Sequence, residues 1–451
     1  MNPPMPPGHV PDGMGFPFSP SIMSAAKIPS LVDFLNASPT QYHSTDAIRN
    51  TLLDNGFTWL DEREEWRLVP GGKYFVMRND SSLLALRLAE NAPLSGARMA
   101  VSHTDSPAFK LRFKDAEVQN GMLRIPVEIY GGASNPTWLD RPLKVAGRIC
   151  LRDAMGNLQI RKICGSAPQA VIPNPPIHFV DLNGGHRFNQ QTQLAACLPY
   201  PTLQEFVDTL VPEGFPQQKA EELQAELFLA DSEGAVIIGD KTPFIQSTHL
   251  DNLTSCYGIL KALCAPQKPL RTVVGGFFDL EEVGLNFQSA GSNFLWSTLS
   301  RVAVALGETS PQALPRMLAD SLCLSIDVAH AFHPNFPELF DKPMAATVGH
   351  GPALKFHANQ AYATTFTGAA LLREIARNAE IPLQDFLPRS DGHCGSTIGR
   401  IVAGALGIQT VDIGVAIWAM HSIRETCAVA DVDYLSALVE KYYLQGVTES
   451  F

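Results

Sequence analysis

Short, continuous apolar runs recur along the chain at 97–102, 244–248, 273–278, 322–326 and 413–420. Runs of this length, bounded by turn residues, predict strands buried on both faces. Amphipathic stretches at 30–35 and 44–55 predict helices, and 73–77 and 82–87 predict further strands. Between 109 and 239 the pattern changes. Runs that alternate with a period of two, such as 123–130 and 145–151, are separated by Gly, Asn and Pro. That predicts a small β-rich unit of sheets or a partial barrel, followed by a polar helical stretch at 216–229. After 239 the alternation of apolar strands and helical segments resumes. The expectation is an α/β catalytic domain built from 28–108 and 240–451 and interrupted by a β-rich insertion, 109–239. Residues 1–27, rich in Pro, Gly and Met, predict a disordered tail with neither the charged start nor the apolar core of a secretory signal.

The apolar runs end in the same kind of residue: His103, Asp251, Glu281 with Glu282, Asp327 and His421. In open α/β sheets ligands bind beyond the carboxyl ends of strands, so these side chains can converge on one crevice. Taken singly, each has an ordinary role. Asp251 and Asp327 could cap helices, His103 could sit in a turn against Asp105, and His421 could be a satisfied core histidine. Together they form a His, Asp and Glu donor set without thiolate, which suits a pair of zinc or manganese ions. In DLEEVG the adjacent glutamates point different ways, so one can bind metal while the other handles a proton; Asp279 is an equal candidate at this level. His330 and His333 lie close enough in sequence to Asp327 to line the same cleft. The loop 394–399 has no Walker lysine and no Gly-x-Ser-x-Gly frame, and is expected to be a tight turn entering a helix.

Composition narrows the function classes. A chain of 451 residues with 45% hydrophobic content predicts two globular domains. A net charge of −11 argues against nucleic acid or anionic membrane as partners, and no apolar run is long enough to span a bilayer. The eight cysteines are scattered singly, which predicts neither a disulfide framework nor a thiolate zinc site and points to a reduced, cytoplasmic setting.

The segments SHTDSPAFKLR, HLDNLTSCY, DLEEVG, SIDVAHAFHPNF, CGSTIG and AMHSIRE, with ASPTQYHS and GGKYFVMRNDSSL before them, resemble in order the motifs of the aspartyl aminopeptidase and vacuolar aminopeptidase I family, in a bacterial-type form. The resemblance implies a zinc-exopeptidase-like mixed sheet sandwiched by helices, with an inserted barrel-like dimerisation domain. It implies that His103, Asp251, Glu282, Asp327 and His421 hold two divalent ions, zinc first and cobalt or manganese as alternatives. Asp251 would bridge them, Glu281 would be the general base acting on a bridging water, and Asp105 would orient His103. The peptide bond after Asp251 is expected to be cis. The same resemblance gives His178 and His350 substrate-binding roles, His178 by reaching into a neighbouring subunit's site. It also implies a homo-oligomer, a tetrahedral dodecamer built from dimers. The expected reaction is removal of N-terminal residues from peptides, with a preference for acidic ones. The sequence departs from the family pattern at Leu285-Asn286-Phe287, Gln288-Ser289-Ala290, Met344, His350 and Arg400. Two other readings share the same residues: a carboxypeptidase or deacylase using the same metals, and a non-catalytic assembly protein.

Overall fold

The computed structural model describes residues 26–182, 185, 187–392 and 394–445; the stretch 1–25 of the expected tail lies outside them, and Lys27, at its end, is hydrogen-bonded to Asn55. Its centre is a mixed nine-stranded sheet. The middle strands are Thr272–Phe278, Ala97–His103, Leu322–Ile326 and Gln409–Gly414, adjacent in that order and all parallel. Every residue of Ala97–His103 and of Thr272–Phe278 is buried, as a strand covered on both faces requires. Alternate residues serve opposite layers. Leu83 and Ala85 pack with the helices Gln41–Asp54, Leu250–Cys264 and Val429–Tyr443, whereas Leu84 and Leu86 pack with Phe294–Ala305 and Ile398–Leu406. The sheet is therefore sandwiched by helices, as expected.

Residues 108–231 supply a second, seven-stranded sheet with its own hydrophobic cluster around Trp138, which stacks on Phe109 with ring centroids 4.8 Å apart. Isolated bridges from Leu143 to Ala170 and from Val171 to Cys197 carry the sheet partly back on itself. The helix expected at 216–229 is absent. Gln224–Asp231 is instead a strand, paired on one side with Ala108–Leu111 and on the other with Leu143–Arg152. Its run Leu227-Phe228-Leu229 is flanked by Gln and Glu that suit a helix locally, but pairing on both edges overrides that preference. A separate helix, Leu203–Leu210, is capped by Thr202 and was not foreseen. Among the described residues no helix is long and apolar enough to cross a membrane, and all eight cysteines are free.

Arg424, just before the strand Glu425–Ala428 of a separate three-stranded sheet, ties that sheet to the inserted one. Its guanidinium pairs with the fully buried carboxylate of Asp231 and donates to the carbonyl of Gly234 at 2.9 Å. Arg141 is 3.9 Å from the same carboxylate and cannot replace the pairing. Replacing Arg424 with Met leaves Asp231 buried and nearly unpaired. We expect a loss of about 3–5 kcal/mol in chemical denaturation; a loss below about 1 kcal/mol would show that the pair is dispensable.

Candidate metal centre

His103 is the last residue of Ala97–His103 and is 1% exposed. In parallel register beside it, Phe278 ends the strand Thr272–Phe278. The chain reverses at Leu280, at φ 70°, and Glu281 and Glu282 line the cavity that His103 also lines. On the other flank, Leu322–Ile326 runs directly into Asp327. The next strand carries Gly414, where a Cβ would come within 1.8 Å of the Asp327 carbonyl oxygen. Only glycine permits that approach. Asp251 lies beyond the strand Phe244–Ser247, in the first turn of Leu250–Cys264, where 251 and 252 leave helical geometry and their peptide bond is cis. His421 sits in a turn after Ala416–Ile417, at φ 67°.

These residues meet around one carboxylate. Asp251 Oδ1 is 3.3 Å from His103 Nε2, and Asp251 Oδ2 is 3.5 Å from His421 Nε2. His103 Nε2 is also 3.6 Å from Asp327 Oδ1, and His421 Nε2 is 3.6 Å from Glu282 Oε1. Two clusters result, His103–Asp251–Asp327 and Asp251–Glu282–His421, with Asp251 common to both; a third grouping joins His103 to Glu281 and Glu282. They line a cavity of about 500 Å³.

The electrostatics suit cations. Burial, with Asp327, Asp105 and Asp251 nearby, pushes Glu281 up to about 8 against the pull of His103. Burial and Asp251 hold Glu282 well above the usual carboxylate range. Burial would raise Asp251 as well, but His103 and His421 outweigh it and hold its carboxyl low. Burial opposes protonation of His103, yet its contacts with Asp105, Asp251 and Asp327 raise it well above an ordinary imidazole. Carboxylates crowded in this way call for compensating positive charge. The contacts of 3.3–3.6 Å match the roughly 3.4 Å between two ligand atoms that each sit about 2.1 Å from a tetrahedral ion. Asp251 Oδ1 is buried without a hydrogen-bond partner. The donor set therefore fits divalent metal.

Two further carboxylates position this set. Asp105 was expected to orient His103 through its side chain. The partner of His103 Nδ1 is instead the Asp105 backbone carbonyl at 2.9 Å, with the carboxylate at 3.6 Å. The carboxylate accepts the backbone N–H groups of Glu281 and Glu282 at 3.2 and 3.1 Å and the Tyr130 hydroxyl at 2.8 Å. Glu425, 2% exposed, does the equivalent for the other loops, accepting the N–H of Asp251 at 2.9 Å and of His421 at 2.8 Å. The inserted sheet contributes directly. Tyr130 ends one of its strands, and Ser134 donates its N–H to the His421 carbonyl at 2.8 Å. A Cβ on Gly131, at φ 69°, would lie 2.7 Å from Glu282 Cβ.

His330 lines the cavity, whereas His333 packs against Phe336. His350 is exposed and does not line the cavity, its Nδ1 lying 3.2 Å from the Val348 carbonyl. The N–H groups of Gly349 and Gly351 both bond the Asp431 carboxylate at 2.7 Å, which ties this turn to the helix Val429–Tyr443. His178 is exposed on the inserted unit and is likewise not brought to the cavity within this chain. Lys355 and Tyr362 line the cavity and were not singled out from sequence; Ser396 and Thr397, in the loop expected to turn into a helix, line it as well, with Thr397 capping Ile398–Leu406. Lys355 is 2% exposed, with Nζ 3.8 Å from Asp327 Oδ2. Its only sequence signal was a lone lysine in the short apolar run ALKF. Glu425 was visible only as a carboxylate four residues after His421.

Residues 34–443 match the family model described as aminopeptidase I zinc metalloprotease (M18). A probable M18 family aminopeptidase 2 from Pseudomonas putida is 39% identical over 424 residues, covering 92% of this chain and 97% of that protein. Among solved structures, the chain is similar to Ape4 in its complex with Nbr1, with TM-score 0.87 and 30% identity over 92% of this chain and 84% of that one. It is also similar to the Saccharomyces cerevisiae mApe1 dodecamer, with TM-score 0.78 and 26% identity over 91% and 95%.

The role of Glu425 can be checked by Glu425→Gln, which sets an amide NH₂ against one of two backbone N–H groups. Disturbing a residue that holds metal ligands in place typically costs 10–100-fold in metal affinity. We expect a loss of that size in chelator competition; unchanged affinity would show that Asp251 and His421 hold their positions without it.

Proposed function

The chain belongs to the M18 family of metallopeptidases and is a metalloaminopeptidase, and from that premise we propose that His103, Asp251, Glu282, Asp327 and His421 hold two zinc-type ions with Asp251 between them. The observation that carries this reading is the two-sided Asp251 carboxylate, each oxygen facing a different imidazole. Two bound divalent ions would supply Lewis acidity to the scissile carbonyl and acidify a water shared between them.

Glu281 is proposed as the proton carrier. It lines the cavity beside both clusters, where burial and the neighbouring carboxylates favour its taking up a proton from water and returning it to the leaving amine. Asp105 fixes its backbone, so the carboxylate keeps its direction while the proton moves. The carboxylates around the cavity favour a substrate that presents a free, cationic amine. Lys355 gives the proposed preference for acidic N-terminal residues a physical basis. It is a buried ammonium whose nearest carboxylate lies beyond hydrogen-bond distance, and it faces the same cavity. This role replaces the one expected of His350.

We place the catalytic unit in 28–108 and 240–451 and assign the insertion, 109–239, to dimerisation. The likeness to a dodecameric relative supports a homo-oligomer, in which His178 would reach a neighbouring site. Unpaired cysteines throughout suit the cytoplasm.

Glu281→Gln should keep its metal by elemental analysis while kcat falls about 10²–10⁴-fold; near-normal turnover would sink the assignment. N-acetylated peptides should not be cleaved, which separates this reading from a deacylase or carboxypeptidase. Lys355→Met should lower kcat/KM for aspartyl and glutamyl anilides about 10–100-fold, the size of a lost charged hydrogen bond, relative to the leucyl anilide. An unchanged ratio would remove Lys355 from the specificity site.

A further inference from the structure

A second cavity, of about 380 Å³, opens on the far side of the site. It shares Glu281, Glu282, Ser396 and Thr397 with the first, so the two meet at the proton carrier. Its remaining walls differ in chemistry from the Lys355 side. Val283, Leu285, Ile398 and Ile401 supply an apolar wall, Asp279 adds a carboxyl at the loop's base, and Arg400 adds one cation at the helix side. Leu285 and Ile401 converge over Gly291, where a Cβ would come within 2.9 Å of Leu285 Cδ2 and 3.0 Å of Ile401 Cγ2.

The apolar wall faces solvent, and the loop that continues from it is braced by hydrogen bonds. Val283 is 51% and Leu285 70% exposed. The loop that carries them is pinned by Ser289 Oγ, which accepts the Asn286 N–H at 3.2 Å and donates to the Asn286 carbonyl at 2.8 Å. Arg78 adds a bond to the carbonyl of Phe287 at 3.0 Å. Arg400 stands in the first turn of Ile398–Leu406, is exposed, and has no ion-pair or hydrogen-bond partner among the described residues. The helix N-terminus adds to its positive field. An apolar wall with the Arg400 guanidinium beside it suits an apolar residue that carries a carboxylate.

We infer that this cavity is the subsite for the leaving side of the peptide: Leu285 and Ile401 receive an apolar residue after the scissile bond, and Arg400 receives its carboxylate when that residue is the C-terminus. The assignment rests on the aminopeptidase reading, which puts the N-terminal residue on the Lys355 side and leaves this cavity to the departing portion. It makes dipeptides with an apolar second residue preferred substrates.

The test uses the full-length, metal-loaded protein and dipeptides carrying the N-terminal residue that the wild type cleaves fastest. The second position is leucine, leucinamide or glycine. The wild type should favour leucine over glycine, and leucine over leucinamide, each by about tenfold or more, the scale of a filled apolar pocket or a charged hydrogen bond. Leu285→Ser should collapse the leucine-to-glycine ratio, and Arg400→Gln the acid-to-amide ratio. Each is a ratio within one preparation, so a general loss of activity cancels. Ratios unchanged in both variants would overturn the subsite. So would unchanged ratios accompanied by a shift in native mass, which would make this wall a contact between copies of the chain. If the wild type cleaves no free-amine peptide, the underlying aminopeptidase reading falls and the subsite falls with it.

Discussion

The structure depends on holding mutually repelling carboxylates in one buried place. Asp251, Glu281, Glu282 and Asp327 converge with the imidazoles of His103 and His421 on one partly buried cavity. Left to themselves, such groups would separate or neutralise by taking up protons. They are held because the anchoring acts on backbone rather than side chain. Asp105 grips the N–H groups of Glu281 and Glu282, and Glu425 grips those of Asp251 and His421. Side-chain oxygens are thereby left free to face the cavity. The arrangement adds two more carboxyl groups to the site, and burial with Asp251 holds that of Glu425 well above the usual carboxylate range.

That demand explains why the sheet is built as it is. A parallel core buried on both faces moves little, and it fixes His103, the 281–282 turn and Asp327 relative to one another through ladder hydrogen bonds. The remaining ligands come from loops, and the loops need outside support. Part of it comes from the inserted sheet, through Tyr130 to Asp105, Ser134 to His421, and Gly131 against Glu282. The insertion is thus a wall of the centre. A shift of that sheet would be felt at two ligand-bearing segments together.

The sequence showed the strand ends because burial on both faces leaves a continuous apolar run, and a carboxylate or imidazole closing such a run stands out. The ends at His103, Glu281–Glu282 and Asp327 were legible for that reason. The run 244–248 proves only alternately buried and 413–420 breaks into two short strands and a turn, so Asp251 and His421 were reached without strands of the expected kind. The supporting groups were not legible. Glu425, Lys355 and Tyr362 act through contacts with residues distant in the chain, such as Asp251 for Glu425 and Asp327 for Lys355, and their local surroundings mark them only faintly. The same limit explains the missed strand Gln224–Asp231, whose state is set by its two neighbours in the sheet. His350 drew attention through its position before a Gly-Pro pair, but the hydrogen bonds of Asp431 to both flanking glycines tie that turn elsewhere. Chemistry carried by periodic elements can be read from composition and spacing; chemistry carried by tertiary contacts cannot.

Asp279 shows the difference at its sharpest. In sequence it is the equal of Glu281 and Glu282, an acid at the end of the same strand. In the fold its N–H is bound by Ser82 Oγ at 2.8 Å, and its Oδ2 accepts from Gln288 at 3.3 Å. Burial and the charge of Asp105 push its carboxyl up to about 7. The chain then reverses at Leu280, through a positive φ that a side chain of this size rarely adopts. That single turn divides the acids. Asp279 stays beneath the loop as part of its hydrogen-bonded base, and Glu281 and Glu282 are carried over it into the cavity. Asp105, gripping the two N–H groups just past the reversal, is what keeps the turn from relaxing. The division of labour within DLEEVG therefore follows from where the backbone turns, and the acid that is left behind stiffens the pair that is delivered.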